Sequence, residues 1–168
     1  MDLSRVKIVK EDKLPVSSGC LILLDCNGET EIILNELLLD GRIAENYFFQ
    51  TCDYQSHRVG VDFVKYRLAA RLQKDGPIIG FIEIMGNRMG YFVDPSHWGY
   101  GYGEEMIRLF CDRVGPFCGI PHLYATALRD NIASSKILSR AGFSFDGLTY
   151  ERSTGKAGRA VLKWRYDF

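Results

Sequence analysis

A chain of 168 residues, 46% hydrophobic and 25% charged, has the size and composition of one soluble globular domain with a single core. Lys plus Arg and Asp plus Glu each number 21, so the formal net charge is zero, and this argues against a protein that grips nucleic acid through a basic face. The five cysteines (Cys20, Cys26, Cys52, Cys111 and Cys118) have no CxxC spacing and form no Cys/His cluster, so reduced thiols in a cytoplasmic protein without a metal are expected.

The opening MDLSRVKIVKEDKL has no long apolar run, and LILL and IILNELLL are too short to cross a bilayer, so neither a signal peptide nor a membrane span is expected. Residues 3–10 alternate as a strand does. The stretch CLILLDCNGETEIIL, residues 20–34, reads two ways. Asn27-Gly28 between apolar runs signals a hairpin, whereas a helix from about Asn27 to Leu39 would put Glu29, Glu31 and Glu36 on a polar side. The helix is preferred. NYFFQ, residues 46–50, belongs to a second helix or its exit loop.

The centre of the chain is clearer. Residues 66–73 and 78–85 predict two strands joined by a tight turn, and 90–95 a short strand stopped by Pro95. Met106, Ile107, Phe110, Cys111 and Val114 have helical spacing over 104–114. Residues 122–128 predict a strand and 132–141 a helix closed by Gly142. AVLKWRYDF predicts an edge or penultimate strand. The expected architecture is α/β (α+β), with a mixed and mostly antiparallel sheet flanked by helices.

HWGYGYGEEM, residues 97–106, sets three glycines on alternate positions before a helix. Glycine admits positive φ and close approach of another molecule. The first helical turn adds unpaired N–H groups and the positive end of the dipole. Together these favour an anion such as phosphate. No GxxxxGK occurs, and the spacing GxGxG is not the GxGxxG of dinucleotide folds, so neither nucleotide fingerprint applies.

PSHWGYGYGEEM resembles the acetyl-CoA-binding turn of the GNAT superfamily of N-acetyltransferases, and most of all its Rim-type branch of ribosomal-protein N-terminal acetyltransferases. The matching residues are Pro95, Trp98, Gly99, Gly101, Tyr102, Gly103 and Glu105. DNIASSKILSRAGFSFDG resembles the family's second motif through Asn131, Ser134, Gly142, Phe143, Asp146 and Gly147. Residues 66–165 carry the resemblance, and 1–65 are atypical and expected on the acceptor side of a single domain spanning 1–168. The resemblance implies a pair of parallel strands, GYFVDP and LYATAL, splayed around the pantetheine arm of acetyl-CoA. Backbone groups of Phe92 and Val93 would pair with that arm, Asn131 would hold one of its amides, and the turn of Trp98, Gly99, Tyr100, Gly101, Tyr102 and Gly103 would hold the diphosphate. Tyr100 stands where the family usually has Lys, Arg or Gln, so affinity for the phosphates is expected to lean more on main-chain N–H groups and on Lys136 or Arg140.

The implied reaction moves acetyl from the thioester to an amine in a ternary complex. The amine must lose a proton, the leaving sulfur needs a donor and the oxyanion needs an N–H, for which Val93 is the candidate. The family's usual tyrosine acid is replaced by Leu138, and in the Rim-like branch Ser134 takes its place at the sulfur. The plainer alternative is a helix serine bonded to its own backbone. Glu83 interrupts the apolar strand IIGFIEIM and is the first candidate base, because a carboxylate there is costly unless paired or facing a cleft. Its alternative is pairing with Arg67 or Arg71. Glu151 is the second candidate, and Asp94 and His97 are turn residues more simply than bases.

Tyr47, Phe48, Phe49 and Tyr54 are candidates for the acceptor pocket or the core, and residues 153–159 either close over the acceptor or simply connect two strands. The acceptor is a small molecule or peptide with a primary amine: a protein N-terminus, amino acid, amino sugar or antibiotic. Two other readings stay open: a module that binds acyl-CoA without turnover, and an acyltransferase for longer chains. Neither a membrane nor nucleic acid is an expected partner. Homodimers are frequent in the family, and nothing in the sequence maps an interface.

Overall fold

The computed structural model describes residues 14–47, 65–73, 75–150 and 158–168. The strand expected at 3–10, Phe48, Phe49, Cys52, Tyr54, Glu151 and most of the loop at 153–159 lie outside them. In chain order the elements are β1 (Val16–Ser17), β2 (Leu21–Asp25), α1 (Gly28–Leu38), α2 (Gly41–Ala44), β3 (Lys65–Leu72), β4 (Ile78–Met85), β5 (Arg88–Val93), α3 (Tyr102–Arg113), β6 (His122–Leu128), α4 (Ile132–Arg140), β7 (Ser144–Tyr150) and β8 (Ala160–Asp167).

The two readings of residues 20–34 resolve in favour of the helix, and a capping box shows why. The Asn27 side chain accepts from the N–H groups of Glu29 and Thr30, both at 3.1 Å, and the Thr30 hydroxyl accepts from the Asn27 N–H at 2.7 Å. Donors at the head of α1 that a hairpin would have used in its turn are satisfied locally.

The strands form one eight-stranded sheet in the order β1-β2-β3-β4-β5-β6-β8-β7. All pairings are antiparallel except β5 with β6, which run parallel. This is the mixed, mostly antiparallel sheet expected, with the C-terminal strand penultimate. Period-two alternation divides the side chains between two faces. On one face Leu68, Ile82, Ile84 and Met89 pack under Met106, Ile107 and Phe110 of α3 and Leu138 of α4. On the other, Ala69, Phe81 and Phe92 pack under Leu34 of α1, Ile43 of α2 and Tyr47. Met106, Ile107, Phe110 and Leu138 are fully buried, and cutting any of them to Ala costs about 2–5 kcal/mol. Helices thus cover β5 on both faces and β6 on the face of α3 and α4, at the centre of the sheet.

Candidate active site

The register between β5 and β6 stops after two pairs, Arg88↔Tyr124 and Met89↔Ala125. Beyond Met89 the strands diverge. The Asp94 N–H bonds the Ile79 carbonyl at 2.7 Å, and β5 keeps register with β4 through Phe81↔Phe92 and Glu83↔Gly90. In an antiparallel ladder backbone groups point to one neighbour at alternate residues. Phe92 and Gly90 therefore spend theirs on β4, and Tyr91 and Val93 aim theirs at the gap. Across the gap, the bond from the Arg129 N–H to the Ala160 carbonyl fixes the same alternation in β6, so the backbone of Thr126 faces the opening. Phe92 is thus corrected as a backbone partner: it contributes its ring, which meets Tyr47 edge-on at 5.1 Å. Tyr91 takes its place, and counting back two residues from Val93 is the signal that finds it.

The gap opens into a cavity of about 460 Å³. Phe92, Val93, Trp98, Gly99, Gly101, Tyr102, Gly103, Asn131, Ser134 and Lys136 all line it, as do His97 and Arg140. Tyr100 does not: its side chain is exposed and its ring stacks on Tyr102 at 5.8 Å. Gly99 and Gly101 have φ of 84° and 85°, the left-handed region where a side chain is strained. Gly103 is close-packed for a different reason, since a Cβ there would lie 3.0 Å from Ile137 Cδ1, a side-chain tip that would have to shift. The absence of that Cβ lets the head of α3 press against α4. Gly101 caps α3 without a side-chain acceptor, and the first intrahelical bond is made by the Glu105 N–H. The N–H groups of Tyr102, Gly103 and Glu104 are left at the cavity wall for an anion.

Glu105, which matched the family motif, faces away from this wall. Its carboxylate accepts from the Ser18 hydroxyl and from the Cys20 N–H at 2.9 Å, tying the β1–β2 turn to α3. Trp98 donates its indole N–H to the Val93 carbonyl at 2.7 Å. That bond occupies an acceptor on Val93 and leaves its N–H facing the gap.

Asn131 caps α4, its side-chain oxygen accepting from the Ser134 N–H at 3.0 Å, and its Nδ2 donates to Asn46 at 3.3 Å. Ser134 Oγ lies 2.6 Å from the Tyr91 hydroxyl, which also reaches the Ser134 carbonyl at 3.3 Å. The alternative of a serine bonded only to its own helix is therefore not what the structure holds. Burial raises the Tyr91 pKa above its ordinary value and outweighs the opposing effect of the Ser134 bond, so the phenol stays protonated at neutral pH. Leu138, in the place of the family's tyrosine, is fully buried core.

Glu83 requires a correction. It is buried, but it does not line the cavity. Arg67 donates to it through Nε at 3.0 Å and Nη2 at 2.5 Å, and the Tyr47 hydroxyl donates at 2.6 Å. Arg67 also pairs with Glu31 of α1 at 2.5 Å. The alternation that sends Phe81 toward Phe92 and Tyr47 sends Glu83 to the same face, one layer behind Tyr47. Tyr47 itself lines the cavity, and burial, then the nearby Glu83 charge, raise its pKa. Asp94 accepts from the Ser96 N–H at 2.9 Å and from His97 at 3.2 Å; burial raises its pKa, but these bonds outweigh that and hold it below the usual carboxylate range. Among the described residues no cluster of His, Cys, Asp and Glu is arranged to hold a metal ion.

Comparison with known proteins agrees with this geometry. Curated proteins give no significant sequence match. Solved structures do match in fold. RimJ of Mycobacterium smegmatis, in complex with CoA-disulfide, is 17% identical with a TM-score of 0.71, covering 92% of this chain and 88% of that one. Spermidine N-acetyltransferase of Vibrio cholerae, in complex with CoA and spermine, is 15% identical with a TM-score of 0.71, covering 89% and 96%. Ribosomal-protein-S5-alanine acetyltransferase of Vibrio fischeri is 12% identical with a TM-score of 0.69, covering 92% and 96%. The acetyltransferase (GNAT) domain family matches residues 41–144, beginning inside the segment set aside as atypical. Because that match spans more than half of the sequence, and the sheet parts between β5 and β6 beside a glycine-capped helix, the chain belongs to the GNAT acetyltransferase family.

Proposed function

We propose that this protein transfers acetyl from acetyl-CoA to a primary amine, of a protein N-terminus or a small molecule, by direct attack in a ternary complex in the cytoplasm. The observation that carries the reading is the gap between β5 and β6. Its free backbone groups on Tyr91, Val93 and Thr126 lead directly to the unpaired N–H groups at the head of α3. A pantetheine arm is a chain of amides that pairs with exposed strand edges, and its diphosphate is the anion a helix head attracts. Similar folds have been solved with CoA bound, which supports the same occupant.

Acetyl-CoA supplies the acetyl group: a C–N bond forms to the amine, the C–S bond breaks and the sulfur leaves with the electron pair. The Val93 N–H, whose carbonyl is tied to Trp98, donates to the oxygen that gains charge. Ser134 donates to the sulfur; its 2.6 Å bond to Tyr91 admits either hydroxyl as donor, and with Tyr91, kept protonated by burial, as the donor, the Ser134 proton is free to face the cavity. Asn131, Lys136 and Arg140 hold the arm and the phosphates. Glu83 acts as a positioning residue that fixes Tyr47 at the wall, with both of its oxygens engaged. The amine proton leaves to water or to Glu151 in this reading.

Calorimetric titration with acetyl-CoA, CoA, ATP and NAD tests the proposal, followed by thiol release with a panel of amines. Micromolar binding of acetyl-CoA and CoA alone, with turnover on at least one amine, is expected. A protein that ignores both would refute the assignment of the cavity, and one that binds both yet acetylates no amine would be a non-catalytic binding module.

A further inference from the structure

The glycine turn has no cation of its own, because Tyr100 stands where the family usually carries a basic residue or Gln and its ring lies on Tyr102, off the cavity wall. A diphosphate carries two charges, and main-chain N–H groups neutralise them only in part. Among the described residues three permanent cations reach the cavity. Lys136 and Arg140 lie on α4. The third, Arg42, comes from α2, a helix the phosphate motif does not include.

Arg42 is placed by two contacts and one longer-range attraction. Its guanidinium lies over the Trp98 ring, 5.9 Å from the centroid. It is paired with Asp40 through Nε at 3.0 Å and Nη2 at 2.6 Å. Asp94 attracts it at longer range. The Arg42–Asp40 pair is at the surface, with 64% of the arginine side chain exposed. Such exposed pairs are screened by solvent and release a partner easily. Neither bond of the pair uses Nη1, and a planar guanidinium at the cavity wall offers parallel N–H donors suited to a phosphate.

We propose that Arg42 supplies the cation missing at Tyr100 and binds the diphosphate of the co-substrate from the wall opposite Lys136 and Arg140. This rests on the reading of the cavity as an acetyl-CoA site. The Trp98 indole, tied to the Val93 carbonyl, lies between Arg42 and the start of the turn. The anion would then sit between two helices distant in sequence, α2 and α4, with the head of α3 below it.

The test is titration of wild type, Arg42→Ala and Arg42→Lys with CoA, 3′-dephospho-CoA and pantetheine, with melting curves to confirm that the variants fold. Arg42→Ala is expected to bind CoA and 3′-dephospho-CoA about tenfold more weakly, as for loss of one charge-assisted hydrogen bond, and to bind pantetheine like wild type. Arg42→Lys is expected to recover part of the loss, since it keeps the charge without the planar fork. Unchanged CoA affinity in Arg42→Ala overturns the inference. So does a loss for CoA but not for 3′-dephospho-CoA, which would assign Arg42 to the 3′-phosphate, and so does an equal loss for pantetheine, which would assign it to the shape of the wedge. Wild-type protein that fails to bind CoA at all refutes the reading of the cavity, and the inference with it.

Discussion

Asn131 performs two tasks with one side chain, and two substitutions separate them. Its oxygen caps α4 by accepting from the Ser134 N–H, and its Nδ2 faces the cavity and donates to Asn46. Asn131→Ala removes both. Loss of a helix cap costs about 1 kcal/mol, within 0.5–2. For a protein of this size 1 kcal/mol lowers Tm by about 2–4 °C. If Nδ2 turns to the co-substrate as proposed, loss of that one neutral hydrogen bond costs a further 0.5–1.5 kcal/mol of binding, a factor of about two to ten. Asn131→Asp keeps the cap acceptor and adds a negative charge at the head of α4, where the helix dipole favours it. It has no Nδ2 to donate. Differential scanning calorimetry and titration with CoA read the two quantities separately. The Ala variant should melt lower and bind more weakly; the Asp variant should melt like wild type and still bind more weakly. An Ala variant with wild-type Tm would refute the cap's contribution, and an Asp variant with wild-type affinity would refute the role of Nδ2.

Ser134→Ala and Tyr91→Phe should each lower kcat by at least tenfold with CoA affinity changed less than threefold, as for a lost proton donor; a fully active double variant would remove the pair from the chemistry. Arg67→Met leaves Glu83 buried beside Tyr47 without its cation and should cost about 3–5 kcal/mol in urea unfolding. Adding Glu83→Gln should restore most of that, and no restoration would mean that Arg67 acts through Glu31 instead. The described cysteines are free, and burial raises Cys26 and Cys111 to about 12 and Cys118 to about 11 from an ordinary 9.0. Iodoacetamide at pH 8 should therefore mark exposed Cys20 well before these three, as read by peptide mass spectrometry. Because the folded thiols hold their protons more tightly, their contribution to stability is complete below pH 9 and is lost as pH rises from 9 toward 12. A Cys111→Ala variant should show a shallower alkaline decline, and an identical decline would discount the thiol.

Local chemistry determined the elements in the described part of the chain. Asn27 with Thr30 starts α1, the apolar spacing from Met106 to Val114 builds α3, and Gly99 and Gly101 permit the turn before it. Each depends on residues within a few positions, so the sequence displays it, and the resemblance of two motifs to one family was legible for the same reason. The sequence also exposed the cost of a carboxylate at Glu83, but not which way it would be met. Alternation assigns a side chain to a face, and only the packing of α1 and Tyr47 onto that face decided that the carboxylate would be tied up rather than open to the cavity.

The tertiary structure decided everything that joins distant segments. Tyr91 meets Ser134 because β5 and β6 lie side by side and α4 follows β6. Arg42 meets Trp98 because α2 covers the face that carries Phe92. Phe92 lost its backbone role to Tyr91 because the β4 register, set by the Asp94–Ile79 bond, fixes which residues face the gap. Periodicity gives a strand its two faces, but strand order, register and the point where two strands part are set by the packing of the whole core. The cavity arises at that parting point, so its existence could be expected from the motifs, and its wall could be drawn only from the fold.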